Sequence, residues 1–140
     1  MNKRSRVIYF THCTKKKDVS SKKTKKKVTP DKLYRGVRIQ GFIKECMEKN
    51  VDWAIFSDKY GIWFPKVRHK WYNTSPGDVP PKEFEKLVSE SYKRLKAYDK
   101  IFFYANPRSA RFAHLYKELK NGLHDKGLNI HYITHKADIR

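Results

Sequence analysis

Four short apolar segments constrain the fold of this chain more than anything else in it. They are RVIYFTH (6–12), DWAIFS (52–57), KIFFYA (100–105) and NIHYIT (129–134), each dense in β-branched or aromatic residues. Between them the apolar spacing switches to a helical period. Phe84, Leu87, Val88, Ser91, Tyr92 and Leu95 share one helix face, and so do Phe112, Leu115, Tyr116, Leu119 and Leu123. Residues 31–49 carry a third set in Ile39, Phe42, Ile43, Cys46 and Met47. The order β-α-β-α-β-α-β predicts an α/β fold: a three-layer α/β/α sandwich around a mostly parallel four-stranded sheet, with right-handed crossovers. A chain of 140 residues fits one such domain, 1–140.

Helix punctuation agrees with this reading. Thr29-Pro30 supplies an N-cap followed by proline at the first helical position, and Asn106-Pro107 repeats the pattern. Two stretches break the alternation. Residues 15–28 hold eight lysines between Lys15 and Lys27, and read either as a solvated, mobile loop or as one that meets an anion. Residues 58–80 form a long connection with two tryptophans, three prolines and a run of basic residues. Connections of that length are often functional.

The charge limits the partners. Lys and Arg number 33 against 14 Asp and Glu, a formal net charge of +19, which favours polyanions: DNA or RNA first, an anionic membrane surface second. No apolar run is long enough to span a bilayer or to form a signal-peptide core, so a cytoplasmic protein with no membrane partner is expected. Two cysteines do not make a disulfide scaffold, and the histidines lack metal-ligand spacing, so neither metal nor cofactor is expected. Cys46 falls in the helical apolar pattern and reads as core.

In an open parallel sheet, ligands bind beyond the carboxyl ends of the strands. Polar residues follow every strand here, and their convergence on one edge is the main functional signal. Cys13, Thr14, Lys15, Lys16 and Lys17 follow the first strand. Ser57, Asp58, Lys59, Tyr60 and Gly61 follow the second, and Asn106 and Arg108 the third. Asp58 is either a general base or the ion-pair partner of Lys59 or Arg35. Cys13, set among cations, has surroundings that lower a thiol pKa, which makes it a candidate nucleophile. Gly61 suits a turn with positive φ. Trp63, Phe64, Trp71 and Tyr72 alternate with Lys66, Arg68, His69 and Lys70, followed by Asn73. Such rings either stack on bases or pack the connection onto the sheet.

The segments CTKKK (13–17), LYRG (33–36), FSDKYGIWFP (56–65) and WYN (71–73) together resemble a domain family that includes the peroxide-stress protein YaaA and, more distantly, the archaeosine synthase core. The resemblance covers most of residues 7–73. It implies an α/β core similar to the uracil-DNA glycosylase arrangement, a tie to nucleic acid or modified bases, and a shared pocket lined by Cys13, Thr14, Lys16, Arg35, Ser57, Lys59, Tyr60 and Gly61. The sequence departs from archaeosine synthase at Asp18-Val19, where that protein has Pro-Tyr. Two functions are therefore expected. One is an enzyme acting on a base in DNA or RNA, glycosylase-like or related to tRNA base modification, with Asp58 and Cys13 catalytic. The other is a non-catalytic DNA/RNA-binding module or small-nucleotide binder using the same residues.

Overall fold

Strand β1 (Val7–His12) alternates its side chains between two apolar clusters, and that alternation divides the molecule into two faces. The computed structural model describes residues 6–13, 17–72, 79–105 and 113–140. After β1 come α1 (Val19–Thr24), α2 (Pro30–Leu33), α3 (Val37–Glu48), β2 (Asp52–Ser57), β3 (Gly61–Trp63), α4 (Pro81–Leu95), β4 (Lys100–Tyr104), α5 (Ala113–Asp125) and β5 (Ile130–Ile133), then a short 3-10 turn, Lys136–Asp138. The sheet has five strands in the order β3-β2-β1-β4-β5. The four strands expected from the sequence are parallel to their neighbours, and β3 adds an antiparallel edge beside β2. No helix among the described residues is long and apolar enough to cross a membrane.

On one face Ile8, Phe10, Phe56, Ile101 and Phe103 meet Val88 and Leu95 of α4 and Leu119 and Leu123 of α5. On the other, Tyr9, Trp53, Ile55 and Trp63 meet Leu33, Ile39, Phe42, Ile43 and Cys46, so Cys46 is core. Helices thus cover both faces. The step from β1 to β2 runs one way along the sheet and the step from β4 to β5 the other. Strand order therefore reverses between the carboxyl ends of β1 and β4.

Three local expectations are corrected. The four-stranded sheet is a five-stranded one, because residues 61–63 turn straight back onto β2. The single helix over 31–49 is two, because Tyr34 is extended and Gly36 caps a new helix. The Gln40 side-chain amide ties the break by donating to the carbonyls of Asp31 and Tyr34. The lysine-rich loop contains α1, capped by the Asp18 carboxylate, which accepts from the Ser20 backbone N–H at 3.2 Å and its hydroxyl at 2.6 Å.

The β2–β3 connection is a tight hairpin. Ser57 pairs with Gly61, the Ser57 hydroxyl accepts the backbone N–H groups of Lys59 and Tyr60 at 3.1 Å each, and Gly61 closes the turn at φ 72°. Helix α4 covers the outer edge of β3. Ser91 Oγ accepts from the Ile62 N–H at 3.1 Å, and Arg94 Nη1 donates to the carbonyls of Tyr60 and Ile62 at 2.6 and 2.7 Å. A Cβ on Gly61 would lie 3.1 Å from Ser91 Oγ, whereas one on Gly127, also at positive φ, would meet nothing within 4 Å. Gly61→Ala is expected to cost about 1–3 kcal/mol of stability and Gly127→Ala less, read from urea unfolding midpoints.

Candidate functional site

The hairpin turn lifts Asp58 to the carboxyl edge of the sheet, and β1 delivers Cys13 beside it. The Cys13 N–H donates to the Phe56 carbonyl at 2.8 Å, which extends the β1–β2 pairing one residue past the strand. The Cys13 thiol donates to Asp58 Oδ2 at 3.0 Å. Beneath them Ser57 is fully buried, and the hydroxyls of Tyr34 and Tyr72 are hydrogen-bonded to each other. Lys17 roofs this group, its Nζ 4.4 Å from the centre of the Tyr72 ring. The roof is held down by a bridge between Lys17 and Tyr34 and by the Asp18 N–H, which donates to the Leu33 carbonyl at 2.7 Å.

This geometry argues against Cys13 as an activated nucleophile. Burial drives its pKa well above the ordinary thiol range, and the adjacent Asp58 carboxylate pushes the same way. Hydrogen bonds from Tyr72 and from the Asp58 backbone oppose this without reversing it. Cys13 is a protonated donor that holds one oxygen of Asp58. Burial also lowers the pKa of Lys17, although the Asp58 carboxylate favours its charge. Neither Lys59 nor Arg35 forms an ion pair with a described carboxylate, and both are exposed.

Tyr72 is corrected as well. It is 5% exposed and Trp63 1%, so both rings are core, and the Tyr72 hydroxyl faces Tyr34. The basic-aromatic connection is folded onto the site instead. Tyr60 stacks on His69 with ring centres 3.8 Å apart, and its hydroxyl donates to the Lys70 carbonyl at 2.9 Å. Trp63 Nε1 donates to the Val67 carbonyl at 2.7 Å. Arg68 is exposed on the same connection. Thr14, Lys15, Lys16, Asn73, Asn106 and Arg108 lie outside the described residues.

Sequence reasoning missed Arg38. It sits in the first turn of α3, where the helix N-terminus meets the carboxyl edge. Its Nη2 donates to Thr11 Oγ1 and to the Tyr104 carbonyl, both at 2.9 Å, and its guanidinium lies 4.7 Å from the Tyr104 ring centre. Thr11 Oγ1 itself donates to the Tyr104 carbonyl at 2.6 Å. Arg38 therefore clamps β1 to β4 at the point where strand order reverses. The only sequence signal was its place two residues after Gly36.

His12 points to the opposite face from Cys13, towards Phe103, and its Nδ1 donates to the Cys13 carbonyl at 3.0 Å. Burial first and Arg38 second lower its pKa to about 3, against the raising effect of that hydrogen bond. Among the described residues no group of histidine, cysteine and carboxylate side chains could hold a metal ion. Compared with known proteins, the chain matches no protein family, no curated protein and no solved structure.

Two outcomes are expected. The unfolded chain takes up the His12 proton near pH 6.5, so the neutral ring's contribution to stability is complete above that pH. It is lost as pH falls towards 3. His12→Phe should flatten the acid limb of a plot of urea midpoint against pH. Second, both thiols should resist iodoacetamide at pH 8 in the native chain and react in urea, since burial also pushes Cys46 up to about 12. Asp58→Asn should speed the alkylation of Cys13 and leave Cys46 unchanged, read by peptide mass.

Proposed function

We propose that the protein binds nucleic acid across the carboxyl edge of its sheet, with phosphates on a basic rim and a base presented to the recess at Asp58. One observation carries the proposal. Two lysine-bearing stretches are stapled side by side at this edge, and their cations have no described carboxylate partner. The staple is the pair Val28 and His69, each donating its N–H to the other's carbonyl, at 2.8 and 2.9 Å. It joins exposed Lys22, Lys23 and Lys25–Lys27 to exposed Lys66, Arg68 and Lys70, and the Lys22 ammonium adds a contact 4.8 Å from the Trp71 ring centre. The ion pairs among described residues lie elsewhere, on α3 and its cap Lys49 and on α4: Lys44–Glu48, Lys49–Glu45 and Lys93–Glu90. A solvating surface has no need to concentrate unpaired charge on two neighbouring segments; a phosphate-binding surface does.

The chemistry of the recess favours recognition over covalent catalysis. A protonated Cys13 is a poor nucleophile, whereas a carboxylate at the carboxyl edge of the sheet is a hydrogen-bond acceptor, the chemistry that a base edge offering N–H donors requires. The likeness of CTKKK and FSDKYGIWFP to the YaaA-related family supports the same partner class. Within this reading Asp58 is also the residue that would take a proton if a bond is broken.

Single-stranded DNA, duplex DNA and tRNA are expected to bind with affinities that fall steeply with salt. Lys22/Lys23/Lys26→Ala should lower the slope of log K against log salt by about 2–3, while Lys44/Lys93→Ala should not. Absence of binding to any of the three at moderate salt overturns the proposal.

A further inference from the structure

On the face away from Cys13, α4 and α5 flank a groove of about 810 Å³, with Asp58 among its lining residues. Val79, Pro81, Phe84 and Val88 make part of its wall apolar. The two helices can approach here because Gly122 has no side chain; a Cβ there would lie 2.9 Å from Val88 Cγ1. Two turns of each helix line the groove. Pro81 to Ser89 on α4 covers about 12 Å, at 1.5 Å of rise per residue.

The charge of this groove opposes that of the rest of the molecule. Its charged lining residues are Asp58, Glu85, Glu118 and Asp125 against Lys126, a sum of −4 + 1 = −3 in a chain of net charge +19. Glu85, Glu118 and Asp125 form no ion pair with a described residue, although lysine and arginine outnumber carboxylates 33 to 14. A compact metal ion does not fit, since no group of described side chains could hold one. What fits is long, partly apolar and carries several positive charges: methylenes against Phe84 and Val88, and ammonium groups against carboxylates on both helices.

We propose that the α4–α5 groove binds a linear aliphatic polyamine. The inference does not rest on nucleic-acid binding, and the test keeps the two apart. Non-specific attraction cannot imitate the result, because the protein as a whole repels polycations.

Titration calorimetry of the full chain, freed of nucleic acid, would use spermidine, butylamine, magnesium chloride and tetralysine as probes. Saturable one-site binding of spermidine is expected, at least about tenfold tighter than that of butylamine. Glu85/Glu118→Gln should weaken it by about tenfold. Both residues are exposed, so folding should be unaffected, and Glu90→Gln, outside the groove, should change nothing. Four results would overturn the proposal: no saturable spermidine binding, equal affinity for magnesium, an unchanged affinity in the double variant, or binding of tetralysine alone. The oligonucleotide affinity of the double variant should match that of the parent chain. If oligonucleotides fail to bind while spermidine binds, the rim reading falls and the groove stands.

Discussion

Five residues, Ser57 to Gly61, hold the functional edge together. The Ser57 hydroxyl takes two backbone N–H groups that a turn of this length would otherwise leave exposed, and Gly61 accepts the positive φ that closes it. Once the turn is set, Asp58 must stand beside the end of β1, where Cys13 reaches it, and Tyr60 must lie over the connection that follows. Through His69 and Val28 that connection fixes the lysine-rich segment. A local hydrogen-bonding requirement thus positions a carboxylate, a thiol and two basic stretches.

The fold was legible in the sequence where residue type and spacing were sufficient. The four parallel strands could be read because they are dense in β-branched and aromatic residues, and α4 because its apolar face repeats through Leu95. Strand β3 could not be read. Three residues, Gly-Ile-Trp, carry no period, and their pairing comes from the hairpin and from Ser91 and Arg94 on a distant helix. The split between α2 and α3 had a signal in Gly36, but the apolar residues on either side continued a helical pattern across it.

The site was legible in location and less so in chemistry. Convergence on the carboxyl edge follows from parallel topology, so Cys13, Ser57, Asp58 and Tyr60 meet as expected. The surroundings of Cys13 were not legible, because sequence shows neighbouring lysines but not enclosure, and enclosure raises a thiol pKa. Tyr72 was misread because alternating rings and cations look alike whether the ring faces a ligand or fills a core. Arg38 escaped because nothing in its neighbours shows that its helix begins at the sheet edge.

The enclosure of Cys13 sets how the protein tolerates oxidants. Peroxide attacks thiolates, and a thiol kept protonated inside the molecule reacts slowly. The hydrogen bond of Cys13 to Asp58 is therefore slower to be lost to an oxidant than one made by an exposed thiol would be.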